Sequence, residues 1–190
     1  MTFLSWLVAG FCIGIVYDSF FEWTLHRYVM HRPVKFLTYS FERHTLTHHR
    51  VFKADETYHV KQERDKYTVP MAWWNGPVLI ATTQVPFAVS AWLTNCTTIL
   101  CGSFLATCLY YAAYEYLHWC MHVPRERNVE RSGIFFRLNG HHLLHHRYMG
   151  TNFNVVLPLA DWCLGTLLLR ARTRFAQARG PSVPDVQPQT

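Results

Sequence analysis

Three long apolar runs, each free of Lys and Arg, dominate the chain: residues 2–21, 71–93 and 97–117. As helices they each cover roughly 30 Å, the thickness of a bilayer's hydrocarbon core. They are apolar all round, not along one stripe, and the rest of a 190-residue chain cannot supply the shell that three such helices would need in water. The pattern therefore predicts an all-α integral membrane protein with three transmembrane helices. The first run lacks the basic start and the cleavage site of a signal peptide, so it is expected to remain as a span. A fourth run, residues 155–169, is too short to cross and holds Pro158 and Asp161. It predicts an interfacial or re-entrant helix. From Arg170 the chain turns basic and then rich in Pro and Gln, which predicts a membrane domain over 1–175 and a disordered tail over 176–190.

Charge then orients the spans. Nine Lys and Arg lie between Arg27 and Lys66 and nine between Arg125 and Arg179, all 18 of them; none lies before Arg27 or between the second and third spans. The positive-inside tendency places both charged blocks on the cytoplasmic face, with the N-terminus and the short connection outside. That face would belong to the inner membrane in a bacterium and to the endoplasmic reticulum in a eukaryote. Aromatics make up 16% of the residues, as expected where apolar helices meet headgroups, and Trp73, Trp74, Trp119 and Trp162 are expected to anchor at that level. The six Cys show no CxxC pair and read as small buried hydrophobes. No feature points to nucleic acid.

Histidine carries the candidate chemistry. Eleven of the 12 fall into four clusters, His26 and His31; His44, His48 and His49; His118 and His122; and His141, His142, His145 and His146. All sit in or beside the charged blocks, so apolar length and charge together bring them to one membrane face. His118 and His122 are four apart and share a helical face. In HTLTHH and HLLHH one ring precedes two adjacent ones by a turn, and the adjacent pair points in different directions, so each triplet could serve two ions. His26 and His31 are five apart, about 140° around an α-helix. They could share a site only if the helix ended between them; otherwise they would reach different ions. Ten or more histidines are too many for one tetrahedral zinc and suit two ions with four or five each. Asp18, Glu22 and His26 lie on one helical face, and Glu115 is three residues before His118. An unpaired carboxylate in a span is costly, so these acids are expected to orient rings and offset metal charge. His59 stands alone, which favours a hydrogen-bonded residue over a ligand.

The segments EWTLHRYVMH, HTLTHH, YEYLHWCMH and HHLLHH, followed by NFNVVLPLADWCLGT, resemble in order the histidine boxes of the fatty acid hydroxylase superfamily, with the first box nearest the fatty acid 2-hydroxylases. The resemblance spans residues 22–166. It implies a cap of histidine boxes on the spans and a di-iron centre. Carried over position by position, the ligands would be His26, His31, His44, His48, His49, His118, His122, His142, His145 and His146. His59, His141, Glu22, Glu115, Asp18 and Asp161 would follow as further metal or ring-orienting candidates. The resemblance also implies O2 as co-substrate, a fatty acyl or related lipid substrate, and electrons from a separate donor such as a cytochrome b5-like protein, a ferredoxin or a reductase. The reaction would be hydroxylation of an unactivated C–H bond. The segment 50–69 is longer and more charged than in the 2-hydroxylases and is expected to shape the substrate entrance.

Three rival readings differ in what they require. A sterol or carotenoid hydroxylase or desaturase would use the same scaffold. A histidine-rich metal transporter or sensor would place ligands along the spans. Bis-histidine heme binding would need only a few histidines on facing spans.

Overall fold

The computed structural model describes residues 2–170; the predicted tail over 176–190 lies outside them. Helix α1 (Phe3–Leu25) runs without a break into a π-helical turn at His26–Met30, giving a first span of Phe3–Met30. Thr2 caps its start by accepting from Ser5 N. A short α2 (Thr38–Phe41), a second π-helical stretch (Glu42–His48) and α3 (His49–Val51) follow. A loop and a 3₁₀ turn (Glu63–Thr68) lead into the hairpin of α4 (Asn75–Thr94) and α5 (Thr97–His122). Asn95 makes the reversal in the left-handed region, φ 53°. Helix α6 (Gly133–Arg147) and the short α7 (Leu159–Cys163) complete the cap.

Only 22%, 28% and 33% of the apolar windows of α1, α4 and α5 are buried within the protein. Val8, Ile13, Val85, Val89, Leu105 and Leu109 all face outward. Apolar surface on this scale requires an apolar solvent, which makes the three helices membrane spans. With lipid outside, helices associate by close packing and polar contacts. Both occur here. Helix α1 crosses α5 at Gly10, Gly14 and Gly102, and a Cβ on Gly102 would stand 2.2 Å from the Leu7 carbonyl oxygen. All three spans are joined by a polar chain: Ser103 Oγ donates to Gln84 Oε1 (2.9 Å), Gln84 Nε2 to Thr107 Oγ1 (2.9 Å), and Thr107 Oγ1 to Asp18 Oδ1 (3.1 Å).

The cap has its own apolar cores, one around Tyr114, Met121, Phe135 and Val155, another around Phe52, Val69 and Val123. Trp119 packs against this second cluster, so it serves the interior of the cap, whereas Trp73 and Trp162 are exposed. Within residues 155–169 the helix is confined to Leu159–Cys163. The chain before it is irregular, with Asn152, Phe153, Asn154 and Val155 buried and the backbone N–H groups of Phe153, Asn154 and Val155 bonded to the carboxylates of Asp161 and Glu22. The cysteines depart from the sequence expectation too: Cys120 is buried, while Cys12, Cys101 and Cys163 are exposed, and all six are free.

Candidate metal centre

The structure gathers ten histidines into two groups of five. His26, His31, His44, His49 and His145 form one; His48, His118, His122, His142 and His146 form the other. Within each group one nitrogen per ring lies within 4.8 Å of all the others, and nine of the ten side chains are buried.

The backbone winding sorts the rings. In the π turn, His31 N–H bonds to the His26 carbonyl, five residues back. The wider turn brings the two rings onto one side, 5.0 Å apart and nearly parallel. His26 and His31 therefore share one group within a continuous helix, and neither the helix break nor the separate ions allowed by α-helical counting is needed. The second π stretch does the same for His44 and His49, whose Nε2 atoms stand 3.0 Å apart, while His48 turns to the other group. In α5 and α6 the winding is α-helical, and the four-residue pairs His118/His122 and His142/His146 each stay together. The neighbouring pairs His48/His49 and His145/His146 are each split between the groups, so each triplet serves both.

Hydrogen bonds on the far side of the rings fix what the near side offers. In the first group His26 Nδ1 donates to the Phe153 carbonyl (2.5 Å) and His145 Nδ1 to the Thr151 carbonyl (2.8 Å). Thr45 Oγ1 spends its proton on the Met30 carbonyl (2.7 Å) and so accepts from His31 Nδ1 (3.2 Å). In the second group His122 Nδ1 donates to Tyr58 O (2.8 Å), His146 Nδ1 to Phe52 O (2.7 Å) and His48 Nδ1 to Thr68 O (3.3 Å). A carbonyl accepts only, so each of these rings carries its proton on Nδ1 and turns a lone pair inward from Nε2. His31 and His145 Nε2, both lone pairs, nevertheless stand 3.1 Å apart. His48 Nε2 and His118 Nε2 are buried with no hydrogen-bond partner among the described residues.

Such convergence of lone pairs is unfavourable without a cation between them, and with one it is a ligand set. Nitrogens bound at right angles around an ion with bonds of ~2.1 Å would lie ~3.0 Å apart. The inter-ring Nε2 contacts here run from 2.8 to 3.2 Å. Burial and neighbouring imidazoles hold His44, His48, His49, His142 and His146 well below the ordinary histidine range. Burial, chiefly, pushes His31 down to about 3 and His145 to about 4. Neutral rings are the form that binds metal. The residues thus fit two metal ions, each with five imidazoles.

The other candidates fall elsewhere. His59 Nδ1 bonds to the Met121 carbonyl (3.1 Å), and His141 Nε2 to Asp161 Oδ2 (3.1 Å); neither belongs to a group. Glu22, Glu115 and Asp18 make no bond to an imidazole among the described residues, so the expected direct ring orientation is corrected. Glu22 instead accepts from Tyr110 Oη (2.6 Å), Asn154 Nδ2 (3.0 Å) and Val155 N (2.6 Å), holding the segment before α7 to α1 and α5. Glu115 ties Met71 N and Tyr111 Oη together. Asp161 is fully buried and accepts from Phe153 N, Asn154 N and Thr166 Oγ1 as well as His141. Burial alone would raise its carboxyl, but these bonds outweigh it and keep it below the usual range.

Each group therefore has a backbone bracket, residues 151–153 for the first and 52–68 for the second. The segment expected to shape an entrance also holds rings. These carbonyl acceptors carry no side-chain signature. Asn152 and Asn154 do have one in the NFN triplet, and both are buried clamps: Asn152 Nδ2 donates to His141 O and Leu168 O, Asn154 Nδ2 to Ser19 O and Glu22.

Two clefts open onto the histidines. One, lined by Tyr39, Arg43, His44, His48, Asn75 and His118, lies beneath the cap. The other descends between the spans from His26 and Met30 to Asp18. They share Leu25, Met30, Met71, Leu79 and Tyr114, so the two adjoin; His26 lines the lower one, and His44, His48 and His118 the upper.

Fold and site together define a membrane-embedded helical protein with a double histidine centre. Residues 11–166 match the model of the fatty acid hydroxylase family, and the chain belongs to that family. Its chemistry is of the membrane hydroxylase and desaturase type, oxygen-dependent oxidation. No curated protein and no solved structure is matched by the chain.

Proposed function

We propose that this protein is a di-iron monooxygenase that hydroxylates an unactivated C–H bond in a fatty acyl chain or related lipid, drawing electrons from a separate donor. The observation that carries the reading is the pair of five-histidine groups, with His26, His48, His122, His145 and His146 locked by Nδ1 bonds to backbone carbonyls so that their Nε2 lone pairs turn inward. When bound, two irons would supply oxygen activation, chemistry that no side chain here provides. The chain's own residues do the rest. Carbonyls of Phe52, Tyr58, Thr68, Thr151 and Phe153 set ring tautomer and direction. The two adjoining clefts, with Leu25, Met30, Met71, Leu79 and Tyr114 in both linings, hold an apolar chain beside the histidines and keep water from it. Arg43 and Asn75 at the upper mouth suit a polar head at the interface. The basic blocks flanking the cap favour a cytoplasmic active face, where a soluble or membrane-tethered electron donor would dock.

Placement also weighs against a transporter. Both histidine groups collect at one end of the bundle, and among the described residues no metal-competent cluster lies along the spans. Metal analysis and an absorption spectrum of detergent-purified protein test the proposal. About two irons per chain without a heme band is the expected result; heme, or one labile ion, would overturn it. His118→Ala and His145→Ala should each abolish turnover while leaving membrane insertion intact. Lipidomics of an overexpressing host should show a lipid that has gained one oxygen.

A further inference from the structure

Asp18 is not used by the metal centre, yet it is 3% exposed in the middle of a membrane span. Such a carboxyl is expensive and ordinarily fully partnered. Glu22, one turn above, meets that rule, with both oxygens occupied. Asp18 does not. Its Oδ1 accepts from Thr107, the end of the polar chain through Gln84 and Ser103, whereas its Oδ2 is buried with no partner among the described residues. Three spans thus hold the carboxyl in place, and Asp18 is one of the residues lining the lower cleft.

The cleft's chemistry narrows the ligand. The walls include Phe21, Leu25, Leu79 and Ile80. Of the hydroxyls that line the cleft, Thr83 bonds to the Leu79 carbonyl, Thr107 to Asp18, Tyr110 to Glu22 and Tyr111 to Glu115, and Tyr114 stands toward the upper cleft, which it also lines. A hydrated cation would find no further acidic oxygen free, since those of Glu22 are taken. An alkyl chain with one hydrogen-bonding group fits both the apolar wall and the lone acceptor. Helix α1 sets the spacing: His26 is eight residues from Asp18, about 12 Å along the axis.

We infer that the lower cleft receives the tail of the substrate and that Asp18 Oδ2 accepts a hydrogen bond from a hydroxyl on that tail, at a level about 12 Å along α1 from His26. The preferred substrate is then a lipid already bearing a chain hydroxyl, and the reaction that supplies it is an earlier oxygenation or hydration of the same chain. This inference rests on the hydroxylase reading and specifies its substrate class; Asp18 is a specificity residue that touches substrate away from the reacting atoms.

Equilibrium binding to purified, metal-loaded protein in nanodiscs tests it, with stearic acid, ω-hydroxystearic acid and a mid-chain hydroxystearic acid as probes. At least one hydroxylated probe should bind on the order of 10-fold or more tightly than stearic acid, the range of a hydrogen bond to a carboxylate. Asp18→Leu should erase that preference while keeping affinity for stearic acid, and Asp18→Asn, which retains an acceptor, should keep part of it. Retained stearic acid binding and iron content show that the variants are folded. No preference in the parent protein, or an equal preference in Asp18→Leu, would overturn the inference. Iron on the same samples separates the two proposals. Two irons with no hydroxyl preference sinks only the Asp18 role; absent iron with the preference intact sinks the oxygenase and leaves the lipid site standing.

Discussion

Replacing Asp161 by Asn probes how the first histidine group is held. The side chain is fully buried and accepts four hydrogen bonds, at 2.9 Å from Phe153 N, 2.8 Å from Asn154 N, 2.6 Å from Thr166 Oγ1 and 3.1 Å from His141 Nε2. An amide keeps one acceptor oxygen and turns a donor toward the other pair. Thr166 and the His141 ring can adjust by rotation or tautomer change. A backbone N–H cannot, so either Phe153 or Asn154 loses its acceptor in a dry site. An unsatisfied buried donor costs about 1–3 kcal/mol, and loss of charge weakens the surviving bonds by about 1 kcal/mol each, about 3–5 kcal/mol together. For a chain of this size that corresponds to a fall in Tm of roughly 10 °C. The displaced segment carries the Phe153 and Thr151 carbonyls that orient His26 and His145. The second group is bracketed by residues 52–68 and does not depend on it. Purified Asp161→Asn should therefore retain about one iron where the parent holds about two, with the lower Tm read by thermal denaturation in detergent. Full iron with an unchanged Tm would refute the reasoning.

Three further outcomes follow from other contacts. Gly102→Ala would place its Cβ 2.2 Å from Leu7 O and 2.8 Å from Phe11 N, backbone atoms that cannot yield locally, so α1 and α5 must separate. A loss of about 1–3 kcal/mol is expected in a denaturant titration, despite the better helix propensity of Ala. Thr45→Val removes the acceptor for His31 Nδ1 and should weaken metal binding at the first group about 10–100-fold, measured by competition with a chelator, with the second group unaffected. Stripping metal with a strong chelator should lower the Tm, and iron should restore it, because the converging lone pairs then repel without a cation.

Much of this arrangement was legible in the residues, for identifiable reasons. Apolar length without Lys or Arg marks a span independently of tertiary context, and α1, α4 and α5 appear where that signal lies. Clustered histidines at repeated spacings at the span ends gather because the spans bring those ends together. What could not be read was the winding. Counting at 100° per residue separates His26 from His31, and only the wider π turn reunites them. Helical spacing puts Glu22 on the face of His26 but does not show its partner, the peptide N–H of Val155 from a distant segment. Backbone carbonyls that set the tautomers leave no trace in side-chain chemistry. Gly10 and Gly14, by contrast, form a GxxxG spacing that announces the close crossing with α5.

The π turn at His26–Met30 also makes residue count a functional quantity. Between the two histidines the chain carries one residue more than an α-helical pair requires, and that surplus residue is absorbed as width. Deleting any one of Arg27, Tyr28, Val29 or Met30 would leave the composition of the first box nearly intact and return the helix to four-residue pairing. His31 would then fall four places after His26, while every residue beyond it would be rotated by about 100° and drawn back by about 1.5 Å. The cap that follows, with His44 and His49, would have to re-dock as a whole. The first histidine box thus acts as a phase setting between membrane anchor and cap, in which a change of length does more than most changes of side chain.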